Sequence, residues 1–518
     1  MIYLNRLVTR QITGAIITLP PIAAWLVTGF KLYHIEGENP FVTLFWIARF
    51  TPQDPYLLAS LLVTLVVSIG LGIFFFKSTK RAFKGARYRR HLRGTEIVAP
   101  EKLAKLTKSD KEKQITIAGI PFPVPAENLQ LLLAGGTGAG KTTIFNEIML
   151  GIARRKERCF ILDPAGSTLS KFYKEGDVIL NPYDKRTQGW SFFNEIRNDY
   201  DFDRLSMSII PKGKTEEAEE WASYGRLLFK EVSRKLWQRG TPDIEEVHYW
   251  CSVATDKDLR VFLEGTQALS LFAGSNEGSK ALTSARFVLS DKLPEHVKMP
   301  EGDFSLRKWL ENPNGGNLYI TWREDQKEAL KPLISAWVDV LYSSTLSLPE
   351  DLTRRIWSLV DELGSLEKLA TLEDALTKGR KFGLRIVAGI QSTSQLADVY
   401  GREGSQTLRS CFSSMVAMRV SRTDPETAED FSKSIGVHEV ERDRDTSSRD
   451  KGQRSSSNLE VKEERVVSPA ELINLQNLTG YLAIVGGYPV TKFETQHQAY
   501  KTRCAPFEER NTLMAQAN

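Results

Sequence analysis

Cysteine is scarce in this sequence, and its placement matches no ligand or disulfide pattern. The four residues, Cys159, Cys251, Cys411 and Cys504, are far apart and include no CxxC pair. That spacing argues against a zinc site and against a disulfide framework, and it favours free or buried thiols in a reducing compartment. A large excess of one charge is missing too, since the formal net charge is only +5. Overall charge therefore indicates little about partners.

The composition is that of a globular protein with several domains. Hydrophobic residues make up 41% and charged residues 26% of the 518 residues, which is an ordinary balance. A chain of this length exceeds one ordinary hydrophobic core and predicts about two or three domains.

Two long apolar runs set residues 1–95 apart. Residues 12–30 are almost wholly apolar and contain the Pro20-Pro21 pair, and residues 57–76 carry no charge. Each run is about long enough to cross a hydrocarbon core of ~30 Å. A signal peptide is an alternative for the first run, because Arg6 and Arg10 precede it, and a buried core helix is an alternative for each. The missing cleavage site and the second run favour a two-helix transmembrane hairpin.

Basic residues predict the orientation of that hairpin. The connection between the runs carries only Lys31 and Arg49, whereas a dense basic cluster follows the second run: Lys77, Lys80, Arg81, Lys84, Arg87, Arg89, Arg90 and Arg93. The positive-inside rule then places the large C-terminal part and the N-terminus in the cytoplasm, with residues 31–56 on the opposite side. The cluster is suited to anionic lipid headgroups, with nucleic acid as an alternative.

The remainder alternates between strand and helix patterns. Short apolar runs with the length of buried strands lie at 129–134, 159–162, 178–180, 318–322, 356–360, 384–390, 415–420, 481–485 and 490–493. Helical patterns separate most of them. This alternation predicts an α/β fold, with a parallel sheet covered by helices on both faces.

Residues 191–302 interrupt the alternation. They are charged and helix-prone, with candidate helices at 215–237, 256–271 and 280–292, and they predict an inserted all-α subdomain. A nucleotide-binding domain would then consist of residues 96–190 and 303–518. Within it, residues 441–464 are rich in charge and serine, and they predict a flexible loop.

The strongest motif is a phosphate loop that fits G-x-x-x-x-G-K-[ST] in full. A predicted strand precedes it and a helix is expected to begin near Thr142. Glycines let backbone N–H groups wrap around phosphates, and the helix N-terminus adds partial positive charge. Lys141 is expected to reach the β- and γ-phosphates, and Thr142 to bind Mg²⁺; a chance match is the alternative. The candidate nucleotide-binding residues are Gly135, Gly136, Thr137, Gly138, Ala139, Gly140, Lys141, Thr142 and Thr143.

Two strand ends offer carboxylates for the metal and the water. One predicted strand ends in Asp361 and Glu362, and another ends in Asp163 alone. A pair allows a division of labour, in which Asp361 holds Mg²⁺ while Glu362 orients or deprotonates the attacking water. We therefore assign these roles to the pair, with a solvated strand end as the alternative. Asp163 is expected near the same edge of the sheet, without an assigned role.

Two further side chains are candidates for catalysis. Gln391 follows the predicted strand at 384–390, where an amide can sense the γ-phosphate or position water, although the Ser/Thr run after it also fits a helix cap. Arg380 lies in a basic loop before that strand. It is a candidate to enter a neighbouring subunit's site and stabilise transition-state charge, with an ordinary surface arginine as the alternative.

These features together resemble the type IV secretion system coupling proteins, the VirD4, TraD and TrwB family of conjugative DNA transporters. The resemblance covers nearly the whole chain and is strongest to the short TrwB-like members. It is carried by the membrane hairpin, GGTGAGKTT at 135–143, SLVDELGSL at 358–366 and GRKFGLRIVAGIQSTSQL at 379–396. The DPAGS segment at 163–167 matches a family turn, but Ala165 stands where the family often has lysine.

The resemblance implies a hexameric ring of RecA-like P-loop NTPase domains below a stalk in the bacterial inner membrane. It implies DNA-dependent ATP hydrolysis and contact with relaxosome proteins and a secretion channel. It also implies that Arg380 is a trans-acting arginine and Gln391 a polar sensor. The inserted helices would face the DNA entrance, where Lys212, Lys214 and Arg234 are candidate contacts and a solvated helix surface is the alternative.

Other functions fit part of the pattern. A motor that exports protein or partitions chromosomes would use the same engine. A membrane docking platform would use the nucleotide site only for assembly. A soluble metabolic P-loop enzyme is disfavoured by the two apolar runs.

Overall fold

The computed structural model describes residues 6–33, 39–82, 90–272, 277–444 and 458–511. Their contacts divide the chain into two units. One consists of residues 1–91 and 440–462, and the other of residues 92–439 and 463–518.

The first unit is built on three helices: α1 (Arg6–Tyr33), α2 (Pro40–Phe50) and α3 (Pro55–Ala82). By length and composition, 14–33 and 55–74 are apolar enough to cross a membrane, in agreement with the predicted pair of spans. Helices α1 and α3 pack against each other. Helix α2 lies in the connection, where no helix is predicted from the sequence. It begins where Asn39 Oδ1 accepts the Phe41 N–H at 3.1 Å.

Two hydrogen bonds tie α1 to the connection before α3. Trp25 Nε1 donates to Thr51 Oγ1 at 2.9 Å, and the Tyr33 hydroxyl donates to Asp54 Oδ2 at 2.6 Å. Because Asp54 directly precedes α3, the second bond closes the hairpin.

Fifteen strands are present in the described residues. In chain order they are β1 (Arg90–Gly94), β2 (Ile97–Val98), β3 (Thr116–Ile117), β4 (Ile120–Pro121), β5 (Leu131–Ala134), β6 (Arg158–Pro164), β7 (Val178–Leu180), β8 (Leu318–Trp322), β9 (Ile356–Val360), β10 (Leu384–Ile390), β11 (Ser414–Met418), β12 (Val437–Arg444), β13 (Asn458–Arg465), β14 (Thr479–Ala483) and β15 (Val490–Glu494).

The helices that follow the first three number sixteen in the described residues. They are α4 (Pro100–Thr107), α5 (Val124–Glu127), α6 (Lys141–Arg155), α7 (Leu169–Phe172), α8 (Tyr200–Ile209), α9 (Glu216–Gln238), α10 (Ile244–His248), α11 (Asp256–Phe262), α12 (Glu277–Lys292), α13 (Pro294–Val297), α14 (Leu306–Glu311), α15 (Lys327–Thr345), α16 (Leu372–Lys378), α17 (Thr393–Ser410), α18 (Pro425–Ile435) and α19 (Pro469–Ile473).

Ten strands form one sheet in the order β2-β15-β14-β11-β5-β10-β9-β6-β8-β7. The strands from β11 to β7 are parallel. Strand β14 is antiparallel to β11, and β15 is antiparallel to β14. The expectation of a wholly parallel sheet is therefore wrong on this side, because the short connection from β14 to β15 permits only a hairpin.

Both faces of the sheet are buried, as predicted. In β5, Leu131 and Leu133 face a core shared with α6, whereas Leu132 and Ala134 face a core shared with α15. Neighbouring side chains of a strand point to opposite faces, so one short apolar strand contributes to both cores.

The described residues between β7 and β8 contain helices, turns and two isolated bridges but no strand. The predicted helices at 215–237 and 280–292 correspond to α9 and α12. The predicted helix at 256–271 is instead divided, since α11 ends at Phe262 and a 3₁₀ helix follows at Gln267–Phe272. Gly265, which lies between the two helices with φ +80°, interrupts the predicted helix. Leu228 of α9 and Leu289 of α12 belong to the same core as α15, so these helices share the core of the sheet.

The predicted flexible loop at 441–464 is wrong at both ends, which are strands. Strands β12 and β13 pair with β1 in a three-stranded sheet, and residues 445–457 lie outside the described residues. In β12, His438 and Val440 are buried while Glu439 between them pairs with Arg93 at 2.5 Å. The period of two explains how so charged a segment forms a strand.

A buried ionic network holds the amino-terminal edge of the sheet. Glu127 accepts two hydrogen bonds from Arg155, at 2.6 and 3.0 Å, and one from Arg385 Nε at 3.2 Å. Arg155 also pairs with Glu157 Oε2, and the same oxygen accepts the Trp357 indole N–H at 2.8 Å. Because Arg155 ends α6 and Arg385 lies in β10, the network joins the helix after the phosphate loop to that strand.

Replacement of Glu127 tests this network. Glu127→Gln leaves two buried guanidinium groups without their shared counter-charge, and we expect a loss of about 3 kcal/mol in the free energy of unfolding. Thermal denaturation of the detergent-solubilised protein should show a midpoint several degrees lower. Glu96→Gln, which removes an exposed pair with Lys102, is the matched control and should change little. Equal midpoints for the two variants would contradict the assignment.

Candidate functional site

The phosphate loop lies at the carboxyl end of β5, between two parallel strands. The Gly135 N–H donates to Ile390 O of β10 at 3.2 Å, and the Gly136 N–H donates to Arg419 O after β11 at 2.8 Å. Gly138 and Gly140 have φ of +71° and +115°, where residues with a Cβ are strained. Helix α6 then begins at Lys141, so strand, loop and helix follow one another as the motif requires.

Lys141 is the buried cation of the loop. Its Nζ donates to Gly135 O at 2.6 Å, and its side chain is 8% exposed. Burial lowers the pKa of Lys141, while the nearby Asp361 and Glu362 raise it in part. The buried ammonium group can donate to phosphate oxygens, while the two carboxylates close by favour a cation such as Mg²⁺ beside them.

Thr142 and Asp361 meet across the sheet. The Thr142 hydroxyl donates to Asp361 Oδ2 at 3.2 Å. Burial raises the pKa of Asp361, and the charge of Lys141 together with the Thr142 hydrogen bond opposes that shift. A hydroxyl and a carboxylate oxygen are hard ligands that fit Mg²⁺, which takes its remaining ligands from phosphates and water. In the described residues, no cluster of three or more His, Cys, Asp or Glu side chains offers an all-protein metal site.

One hydrogen bond joins Gln391 to Glu362, and a second joins Gln391 to the phosphate loop. Gln391 Nε2 donates to Glu362 Oε1 at 2.9 Å, and Gln391 Oε1 accepts from the Thr137 hydroxyl at 3.1 Å. The Ser/Thr alternative also has a basis, because the Ser392 side chain caps α17 by accepting the Gln395 N–H. The cap and the amide are thus supplied by neighbouring residues.

Asp163, whose role the sequence leaves open, supports the turn that follows β6. Its carboxylate accepts the N–H groups of Thr168 and Leu169, with distances of 2.6 to 3.0 Å, and the Ser167 hydroxyl at 3.3 Å. Burial raises its pKa to about 6, although these hydrogen bonds lower it. The charge of Asp361 adds to the increase, so Asp163 lies close to the metal-binding candidates without contacting the loop.

Ala165 in the same turn has φ +62°, a left-handed conformation that few non-glycine residues adopt. Gly166 follows at φ +65°, and Pro506 of the C-terminal segment packs directly against it.

Arg380 lies away from this group of residues. It is exposed in a 3₁₀ helix, Gly379–Phe382, before β10 begins. Gln391 follows the other end of that strand, so about 20 Å of extended chain separates Arg380 from the edge that carries the loop. Within one chain, the structure does not bring Arg380 to the phosphate loop.

The candidate basic residues of the inserted helices are mostly engaged. Arg234 pairs with Asp199 at 2.8 Å and Glu231 at 2.7 Å, and Lys214 Nζ donates to Asp398 O at 2.5 Å. Arg234 is therefore held by carboxylates of its own chain, whereas Lys212 and Lys214 are exposed.

Two residues near the loop were missed by the sequence analysis. Arg419 Nη2 donates to Thr137 O at 3.3 Å, and His497 Nδ1 lies 3.1 Å from Thr143 Oγ1. Arg419 lies at the carboxyl end of the strand predicted at 415–420 and directly follows β11, so its position at the sheet edge is a signal that could have found it. His497 has no motif around it, and only the fold brings it to α6.

A family model and a curated relative both point to the same protein family. A family model described as the type IV secretion-system coupling protein DNA-binding domain matches residues 114–496. The coupling protein TraD of Escherichia coli (strain K12) is 29% identical over 430 residues, which cover 79% of this chain. The chain spans only 58% of the length of TraD.

Solved structures extend the similarity to three dimensions. The unbound bacterial conjugative coupling protein TrwBdeltaN70 is 58% identical with a TM-score of 0.78, over 82% of this chain and 98% of that one. TrwB in complex with ADP and Mg²⁺ is 57% identical with the same TM-score, over 83% of this chain and 100% of that one. The fold is therefore that of a RecA-like P-loop NTPase with inserted helices.

The pKa of Asp163 generates a pH prediction. A carboxyl group whose pKa rises from 3.8 to about 6 on folding stabilises the protein fully below pH ~4, and it loses that contribution as the pH rises through about 6. Relative to Asp163→Asn, the wild type should thus lose on the order of 2–3 kcal/mol of stability between pH 4.5 and 7.5.

Denaturation midpoints of both proteins across that pH range measure the effect, with the exposed Asp110→Asn as control. A difference between wild type and Asp163→Asn that stays constant with pH would show that the buried carboxyl does not titrate there.

Proposed function

This chain belongs to the type IV secretion-system coupling protein family, and from that membership we propose that it is a membrane-anchored ATPase that drives DNA transfer in bacterial conjugation. One observation carries the proposal: the phosphate loop, the Asp361-Glu362 pair and Gln391 meet at one edge of the sheet. That edge lies within the segment matched by the family model.

The nucleotide would bind on the loop. Backbone N–H groups of Gly138 and Gly140, those at the start of α6 and the Lys141 ammonium group suit the phosphates. Thr142 and Asp361 would hold Mg²⁺, which neutralises phosphate charge when it is bound. The related TrwB in complex with ADP and Mg²⁺ supports this assignment.

Glu362 is the proposed base for hydrolysis. Its carboxylate lies at the same edge as the loop, and Gln391 holds one of its oxygens, so the other oxygen is free to accept a proton from water. Asp361 is engaged with Thr142 and so takes the metal role. The two neighbouring carboxylates thus have different tasks.

Arg380 is proposed to act in trans. It is exposed and far from the loop of its own chain, so its guanidinium group is of use in hydrolysis only at the site of a neighbouring subunit. That geometry supports a ring, and we propose a homohexamer in which each site is completed by the next subunit.

DNA is the proposed cargo, since the matched family model is described as a DNA-binding domain. Basic groups along a central channel would hold the phosphate backbone without reading bases. Relaxosome proteins and the components of the secretion channel are the proposed protein partners. The helices at 191–302 are proposed as an inserted domain that faces the DNA entrance.

The two apolar helices support attachment to the bacterial inner membrane. The basic residues at 77–93 follow the second apolar stretch, 55–74, and the positive-inside rule then keeps the ATPase in the cytoplasm. We propose that residues 1–95 form a two-pass anchor and stalk.

Replacement of Glu362 tests the motor. Glu362→Gln should lower DNA-stimulated ATP hydrolysis about 10²- to 10⁴-fold, because the proton acceptor is lost, while binding of an ATP analogue is kept. Phosphate release by the full chain is measured with and without single- and double-stranded DNA. The exposed Glu373→Gln is the control and should stay active. If DNA leaves wild-type hydrolysis unchanged at every salt concentration, the motor is refuted and the docking platform is favoured.

Mixed oligomers test whether Arg380 acts in trans. Arg380→Ala should lower hydrolysis by 10²-fold or more, while Lys381→Ala, its exposed neighbour, should stay near wild type. Co-expression of Arg380→Ala with Glu362→Gln should restore part of the activity, because some interfaces then combine an intact arginine with an intact glutamate. No recovery in such mixtures would rule out the trans role.

A further inference from the structure

The phosphate loop is held by Arg419 through two different groups. The Arg419 carbonyl accepts the Gly136 N–H at 2.8 Å, and its guanidinium group donates to the Thr137 carbonyl at 3.3 Å. Gly136 itself packs close to the Arg419 carbonyl, 3.5 Å from where its Cβ would lie. Main chain and side chain of one residue thus fix two consecutive residues of the loop.

Among the described residues, no carboxylate pairs with this guanidinium group. Arg419 is half-buried and makes no ion pair within the described part of the chain. Arg422, three residues further along, is exposed and donates to Asn474 Oδ1 at 2.8 Å, away from the loop. Of the two arginines that follow β11, Arg419 contacts Thr137, whereas Arg422 contacts Asn474.

Thr137 connects the loop to Gln391 and, through Gln391, to Glu362. Its hydroxyl donates to Gln391 Oε1 at 3.1 Å, and Gln391 Nε2 donates to Glu362 Oε1 at 2.9 Å. An ionised carboxylate is only an acceptor, so Glu362 requires the amide nitrogen to face it. The amide oxygen then faces Thr137, and a donor on Thr137 stabilises that orientation.

We infer that Arg419 and the Thr137 hydroxyl are positioning residues that orient Gln391 and, through it, Glu362 for hydrolysis. Position three of the phosphate-loop motif accepts any residue, so the motif does not require this hydroxyl. Neither side chain needs to contact the reacting atoms, because each acts through the amide of Gln391. The inference rests on the proposed ATPase function.

Loss of the Thr137 hydroxyl or of the Arg419 side chain should lower the turnover number and leave the affinity for nucleotide unchanged. The loop N–H groups and Lys141 remain in place without the Thr137 hydroxyl, so affinity for nucleotide is kept. A misoriented Gln391 amide leaves the Glu362 carboxylate without its donor, so kcat falls. A residue that only supports the loop would instead weaken binding of ADP.

The experiment compares Thr137→Val, Thr137→Ser and Arg419→Ala in the full chain, with Arg422→Ala as the control. We expect Thr137→Val and Arg419→Ala each to lower kcat about five- to tenfold, the effect of one lost hydrogen bond. KM for ATP and Kd for ADP with Mg²⁺ should stay within about twofold. Thr137→Ser keeps the hydroxyl and should retain most of the turnover.

The double variant distinguishes two residues that both act through Gln391 from two residues with independent effects. Because both residues act through Gln391, Thr137→Val with Arg419→Ala should be no worse than the more severe single variant. Losses that multiply, an unchanged kcat, a parallel loss of ADP affinity, or a Thr137→Ser variant as slow as Thr137→Val would overturn the inference. Absence of ATP hydrolysis by the wild type would instead refute the proposed function.

Discussion

Strand β10 lies between β5 and β9, and the chemistry of the site depends on this order of strands. Neighbouring strands are about 4.8 Å apart, so the phosphate loop after β5 and the carboxylates after β9 face each other across one intervening strand. Thr142 and Asp361 span the gap directly, and Gln391 fills it on the other side by contacting both Thr137 and Glu362. An amide has both a donor and an acceptor, which suits a position between a hydroxyl and a carboxylate.

Burial of both faces of the sheet explains why every functional group lies at an edge. The strands that flank the site, β5, β9 and β10, are buried throughout, because helices cover both sides. Charged groups are then placed where the strands end, with the catalytic candidates at the carboxyl edge. The opposite edge carries the ionic network of Glu127 and the exposed Arg380.

Apolar runs predicted most of the strands closely, since a strand buried on both faces is a continuous hydrophobic segment. Strands β7, β8, β9 and β10 begin and end where the sequence predicts them. Strand direction was harder to predict where the length of the connection between two strands decides it, as for the antiparallel β14 and β15. Charged strands such as β12 were missed because their burial is on one face only. Helix α2 was missed because it lies in the connection between the two apolar runs, where no helix was predicted.

For the site, local patterns were enough to predict the phosphate loop, the paired carboxylates and the amide after β10, because each lies at the end of an apolar run. Which of these groups touch became clear only in the folded chain, since strand order and register are set by packing between distant segments. The fold gave Asp163 a role in its own turn, placed Arg380 at the far edge, and brought Arg419 and His497 beside the loop. Contacts between residues hundreds of positions apart leave no local signal in the sequence, and this is why His497 was found only in the folded chain.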